Sequence, residues 1–267
     1  GIGRHCLGSR RAAVRAGDCR LQDHRVLTRT HNSAPAPLPP PTTGEALRLE
    51  GVTAGHEGAA RPALRGISLR VARGERVAVI GASGAGKSSL LALVAGELPA
   101  WEGHVAALPA TLLTQRTELF QDTLRGNLLL ADPTADDARL WRALADAGLA
   151  AHVATLPEGL EARLGEGGAG LSGGQSRRLA LARLLLRGAP LWLLDEPTEG
   201  MDGALAADVL ARLAARAVGA SLLICTHLRR EAALADRLLL LEEGRLVGEH
   251  RRGEAGFAAA LAALRPG

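Results

Sequence analysis

An α/β domain, with a mostly parallel sheet covered by helices, is the fold class this sequence predicts, and three observations predict it. Short apolar runs at Arg76–Ile80, Leu191–Leu194 and Ala220–Cys225 have strand length and alternate with helix-period patterns. A complete G-x-x-x-x-G-K-[ST] loop, residues 81–88, joins the first of these runs to a helix. The second run ends on the acidic pair Asp195-Glu196. Strand, glycine loop, helix and a separate strand ending in carboxylates together make one phosphate-and-metal constellation.

The elements follow in order. Residues 1–45 stand apart, with seven arginines by residue 29 and then the run Pro35-Ala36-Pro37-Leu38-Pro39-Pro40-Pro41. They read as a flexible basic tail and an extended linker. Asp18, Asp23 and the missing amphipathic stripe argue against a targeting peptide. The compact domain, residues 46–252, opens with strands at Leu47–Val52, Ile67–Val71 and Arg76–Ile80. After the loop comes a helix over Ser89–Ala95, then short strands at His104–Ala107 and Thr111–Thr114. Helical patterns occupy about 122–130, 136–147 and 174–187. The helix 204–217 lies between the two late apolar strands. A strand pair, Arg237–Leu241 and Arg245–Gly248, turns through Glu242-Glu243-Gly244. A last helix near 254–264 forms a C-terminal segment, 253–267.

Composition excludes several functions. The chain has 267 residues, two Phe, three Trp and no Tyr, so stacking platforms for single-stranded nucleic acid are scarce. Cys6, Cys19 and Cys225 make neither a disulfide framework nor a metal cluster, and Cys225 reads as a buried reduced thiol. No run approaches 18 consecutive apolar residues, so no transmembrane helix is encoded. The net charge of +4 is mild.

Lys87 is the only lysine; every other one of the 32 Lys and Arg residues is arginine. A compact ammonium fits a tight loop beside β- and γ-phosphates, where a planar guanidinium does not. The stretch Gly81, Ala82, Ser83, Gly84, Ala85, Gly86, Lys87, Ser88 and Ser89 is therefore the expected triphosphate cradle. Ser88 and Asp195 are the expected Mg²⁺ ligands. Glu196, one residue on, points differently and is placed to polarise an attacking water. Ser172 is placed to cap a helix opening at 173–175, whose glycines leave backbone N–H groups bare for an anion.

The string Leu171-Ser172-Gly173-Gly174-Gln175, followed by Ser176-Arg177-Arg178-Leu179, resembles the signature helix of ATP-binding-cassette ATPases, and the resemblance spans about 47–250. It implies a phosphate-loop NTPase fold with a small antiparallel β subdomain and a helical subdomain at about 120–185. It implies ATP and Mg²⁺ as ligands and ATP hydrolysis as the reaction. Gln115 resembles the glutamine that contacts metal and water, and Thr226-His227 the switch histidine at the γ-phosphate. Met201-Asp202 resembles the loop that crosses to a second subunit. Glu166-Gly167-Gly168 precedes the signature where exporters carry a coupling loop. His56 stands where the family has an adenine-stacking aromatic, a departure that weakens base affinity. The interval from Lys87 to Gln115 is short, so part of the antiparallel arm is expected to be missing.

In this family Leu171–Gln175 of one chain reaches the nucleotide held by another, so the resemblance implies a second ATPase subunit as partner. Thr117–Leu128, Leu194–Asp202 and Thr226–Arg230 look most like exporter cassettes of the C subunit of CydDC-type thiol exporters, which serve cytochrome bd assembly. That implies membrane domains not found in this chain, a place on the cytoplasmic face of the bacterial inner membrane, and no nucleic-acid partner. A soluble cassette ATPase acting on nucleic acid is the alternative. The interval between Ser88 and Leu171 holds no heptads or paired cysteines of the kind repair members insert. A small-molecule kinase is a further rival, but gives Ser172–Gln175 and His227 no role.

Overall fold

The computed structural model describes residues 39–266, so the expectations for the tail before Pro39, for Cys6 and for Cys19 lie outside the described residues. Among the described residues, nine strands form two sheets. Strands β5 (Ala110–Leu113), β6 (Leu191–Asp195), β7 (Ser221–Cys225), β3 (Arg76–Ile80), β8 (Arg237–Glu242) and β9 (Arg245–Arg251) lie side by side in that order. The first five are parallel, and β9 alone runs antiparallel, against β8. The hairpin turns through Glu243 and Gly244, both at positive φ. Strands β1 (Glu45–Ala54), β2 (Leu64–Ala72) and β4 (Ala100–Ala107) make a separate antiparallel sheet of order β2-β1-β4.

All five residues of β6 and of β7 are buried, because the sheet is covered on both faces. The alternation of side chains divides them between two cores. Leu191, Leu193, Leu223, Cys225, Val77 and Val79 face the antiparallel sheet and helix α1 (Lys87–Val94). Trp192, Leu194, Leu222, Ile224, Ala78 and Ile80 face the other helices. These are α2 (Leu124–Leu129), α3 (Asp137–Asp146), α4 (Ala150–Thr155), α5 (Gly173–Arg187) and α6 (Gly203–Arg216). A four-residue helix α7 (Arg229–Ala232) and α8 (Ala255–Ala263) complete the described chain. The C-terminal segment joins the compact unit: Phe257 is buried, and Arg229 donates to the carbonyls of Leu261, Ala262 and Leu264.

Several elements differ from expectation. β4 starts at Ala100 rather than His104, since Ala54 and Thr53 of β1 pair with Ala100 and Glu102 and recruit exposed residues. β5 ends at Leu113, so Gln115 follows the strand instead of ending it. Helices α4 and α7 carry too few turns for a periodic signal. Only Leu108-Pro109 separates β4 from core strand β5.

Register fixes where the chemistry sits. Asp195 pairs with Cys225, and Cys225 with Val79, so the carboxyl ends of β6, β7 and β3 form one row. The loop after Ile80, the pair Asp195-Glu196 and the segment Thr226-His227 all leave that edge, where open α/β sheets bind ligands.

Candidate functional site

The glycine loop after β3 is shaped by close backbone approaches. Gly81 has φ 156°, and a Cβ there would run into the Leu241 carbonyl. Gly86 has φ 107°, and its Cβ would lie 2.9 Å from the Ala63 carbonyl oxygen. The β8–β9 turn braces the loop from outside, with Gly244 N–H donating to Ala85 O at 2.9 Å. Lys87 Nζ donates to the carbonyls of Gly81 (2.8 Å) and Ala82 (2.9 Å), closing the loop around its own ammonium. An ammonium has three N–H donors, so one remains for an incoming anion. Helix α1 has no acidic residue in its first turn, which leaves its N-terminus favourable to phosphate.

Asp195 is buried, and burial is the main reason its carboxyl sits above the ordinary carboxylate pKa. A hydrogen bond from the Ser88 hydroxyl and the charges of Arg177 and Lys87 oppose that shift, while nearby Glu196 adds to it. Ser88 and Asp195 thus form an oxygen pair of the kind Mg²⁺ takes beside phosphate. Among the described residues no three His, Cys, Asp or Glu side chains converge to hold a metal alone. The pair suits an ion that draws its other ligands from phosphate and water.

Among the described residues, Glu196 is one of two non-glycine residues at positive φ, at 48°. Left-handed backbone costs such a residue on the order of 1 kcal/mol. Its N–H donates to Cys225 O at 2.9 Å, and its Oε1 lies 2.6 Å from His227 Nδ1. An ionised carboxylate only accepts, so Nδ1 carries the proton and Nε2 is left for other partners. Asp195 thereby turns toward Ser88 and Glu196 toward His227, as the sequence suggested for two adjacent carboxylates. Beneath them Cys225 is fully buried, its Sγ 3.4 Å from the Lys87 carbonyl, and burial pushes its thiol pKa well up. It is an inert packing group.

A buried carboxylate missed from the sequence ties two of these loops together. Glu231, on α7, is fully buried and accepts from Thr198 N–H (2.7 Å), Thr198 Oγ1 (2.6 Å) and the Thr226 hydroxyl. It links the turn after Asp195-Glu196 to the turn that carries His227. Glu231→Ala strands three donors, and we expect a loss of about 3 kcal/mol, seen as a fall of roughly 6–10 °C in thermal midpoint. Burial chiefly raises the Glu231 carboxyl pKa. Its contribution is therefore full below about pH 4 and declines as pH rises through the raised value, so the deficit of the variant is widest in mild acid.

Ser172 caps α5 with a capping box. Its hydroxyl accepts from Gln175 N–H at 3.3 Å, while Gln175 Oε1 accepts from Ser172 N–H at 2.7 Å. Gly173 is exposed, with nothing within 4 Å of a built Cβ, whereas a Cβ on Gly174 would meet Gly200 O at 3.0 Å. Leu171 is half-buried against the helical core. Gly173 and Gly174 line a cavity of about 390 Å³ together with Gln115, Arg177 and Glu199. Gln115 is exposed, and among the described residues its side chain makes no hydrogen bond. Its carbonyl, not its amide, is tied down, by Arg177 Nη1 at 3.3 Å. His56 is exposed just beyond β1. The indole of Trp101 lies over the backbone of Gly55, so an aromatic surface stands one residue from it.

Comparison with known proteins gives the same picture. Residues 64–199 match the family model described as ABC transporter. The glutathione/L-cysteine transport system ATP-binding/permease protein CydC of Escherichia coli is 37% identical over 222 residues, 78% of this chain and 38% of that protein. An ATP-dependent lipid A-core flippase of Cupriavidus metallidurans is 39% identical over 213 residues, 73% of this chain and 36% of that one. The structure of a bacterial Atm1-family ABC exporter with ATP bound superposes with a TM-score of 0.77 at 30% identity, covering 88% of this chain and 45% of that chain. The chain thus spans a little over a third of the length of these curated relatives. Among the described residues no helix is long and apolar enough to cross a membrane.

Proposed function

The chain belongs to the ABC transporter family, and on that premise we propose that it is the ATP-hydrolysing engine of a bacterial exporter whose nucleotide sites are shared between two such domains. The domain binds ATP and hydrolyses it. In our reading Gly81–Ser89 cradles the phosphates, His56 lies at the base, and Lys87 reaches the β- and γ-phosphates. Ser88, Asp195 and Gln115 would hold Mg²⁺, which would neutralise phosphate charge. Glu196 takes a proton from water as its oxygen attacks the γ-phosphorus and the bond to the β-phosphate oxygen breaks, giving ADP and phosphate. His227, oriented through Nδ1 by Glu196, faces the γ-phosphate with Nε2.

The observation that carries this reading is a second phosphate-competent helix start. Ser172 consumes the Gln175 amide, and Gly173 leaves the first turn of α5 exposed and free of side-chain bulk. One nucleotide gripped by α1 of one chain and by α5 of its neighbour uses both. Complementation between two dead variants tests it. Lys87→Ala spoils a chain's own cradle; Gly173→Asp spoils only what it lends, because the new carboxylate meets open space and repels phosphate. We expect each alone to lose about a hundredfold in turnover or more, with the thermal midpoint of Gly173→Asp unmoved. Their mixture should regain activity, since mixed pairs hold one intact shared site. A mixture as inactive as its parts means that the site lies within one chain.

For cargo we propose low-molecular-mass thiols, cysteine or glutathione. Support comes from the strings Leu194–Asp202 and Thr226–Arg230 and from CydC relatives at 37% and 36% identity. Cargo contacts belong to membrane segments, placed on the same polypeptide as in those ATP-binding/permease relatives, with this domain on the cytoplasmic face of the inner membrane. The test is ATP-dependent uptake of labelled cysteine and glutathione into inside-out vesicles containing the full-length polypeptide. Transport of lipid A with no thiol uptake overturns the assignment.

A further inference from the structure

Arg177 is an arginine on the buried stripe of α5, one turn before Leu181, and is 4% exposed. Its guanidinium reaches two other segments of the site. Nη1 donates to the carbonyls of Thr114 and, at 3.3 Å, Gln115; Nη2 donates to the carbonyls of Asp195 and, at 2.8 Å, Glu196. Its Nε is buried with no partner, so the head group is held by these carbonyls and not by a carboxylate. Burial pulls its pKa down, opposed by the nearby charges of Glu199, Asp195, Glu231 and Glu196, and an arginine so placed stays charged. The neighbouring Arg178 offers a contrast: it donates to Gly174 O (3.2 Å) and Gly148 O (2.7 Å), touching neither segment.

We propose that Arg177 is a positioning residue through which the signature helix sets the geometry of the hydrolytic centre. Glu196 stands in left-handed backbone, a conformation that persists only where its surroundings hold it. Three bonds fix its main chain: its N–H to Cys225 O, its carbonyl to Glu199 N–H, and its carbonyl to Arg177. Of these the last alone comes from α5. The same fork grips the segment carrying Gln115. A shift of α5, whose exposed end meets the partner's nucleotide in the reading above, therefore moves Glu196 and Gln115 together. Hydrolysis by a chain's own site becomes conditional on the placement of the helix it lends to its partner. A monodentate cation cannot span both carbonyl pairs, which is why an arginine occupies a core position where the other buried residues of the helix are leucine and alanine.

The inference rests on Glu196 being the general base, and the experiment separates the two. Arg177→Met and Arg177→Lys are measured for kcat, KM and nucleotide affinity, alone and combined with Glu196→Gln. We expect Arg177→Met to lower kcat at least twentyfold with KM and affinity within threefold, and Arg177→Lys to restore part of the loss. In the Glu196→Gln background either substitution should change the residual turnover less than twofold, because its effect passes through the missing base. A merely structural staple multiplies the two losses instead, and that result overturns the proposal, as does an unchanged kcat in Arg177→Met. Should Arg177→Met fail to fold, Arg177→Lys carries the same comparison. Full turnover in Glu196→Gln alone defeats the assignment of the base; a slow Glu196→Gln beside a fast Arg177→Met defeats only the role given to Arg177.

Discussion

Glu196→Gln is expected to cut ATP turnover by about a thousandfold while leaving nucleotide binding intact. The reason lies in what the substitution keeps. An amide oxygen can still accept from His227 Nδ1 where Glu196 Oε1 now does at 2.6 Å, so the side chain holds its place. The main-chain bonds to Cys225 and Arg177 are untouched. What is lost is proton affinity: an amide cannot take the proton that attacking water must shed. Bound ATP should then persist, and with it any assembly in which ATP is an interfacial ligand. Light scattering in MgATP should show a dimer of the Gln variant that the native chain forms only transiently. Native turnover in this variant, or a dimer indifferent to ATP, would sink the mechanism.

How far the sequence alone revealed this site depends on where each residue gets its instructions. Strands β3, β6 and β7 were legible because a doubly covered strand is apolar along nearly its whole length, and few other environments ask for four such residues in a row between turns. The cap of α5 was legible too, since Ser172 and Gln175 satisfy each other locally. β4 was legible only from His104 on. Residues 100–104 are all exposed, and β1 alone, distant in sequence, makes them a strand. Glu231 and Arg177 were illegible as functional groups for a related reason. Each is a charged residue whose partners are backbone or hydroxyl groups 18 or more residues away, apart from Thr226. The available signal was position: an arginine falling on the leucine stripe of α5 asks what else it could bind. Gln115 stayed half-legible. Its place near the end of β5 was readable, but among the described residues no hydrogen bond of the fold orients its exposed side chain.

Lys87→Ala is expected to abolish useful nucleotide binding, and two readouts separate its two roles. Charge-assisted hydrogen bonds contribute roughly 1.5–3 kcal/mol each, so losing the contact to phosphate weakens affinity by up to about a hundredfold. At a hundredfold excess over its dissociation constant, ATP stabilises the native chain by about 2.7 kcal/mol, a shift of roughly 5–10 °C. That shift should vanish in the variant. Without nucleotide, the variant loses the Nζ bonds to Gly81 and Ala82 that close the loop, so its own midpoint should fall slightly. Lys87→Arg then asks whether charge is enough. The loop gives Nζ two carbonyl acceptors at 2.8 and 2.9 Å within a turn whose glycines already touch neighbouring backbone, and a forked guanidinium cannot occupy that space without opening it. Arginine should therefore bind ATP as poorly as alanine does, although it preserves the charge. Retained affinity in Lys87→Arg would mean that the loop reads charge and not shape. The singular lysine among 32 Lys and Arg residues would then have no structural reason.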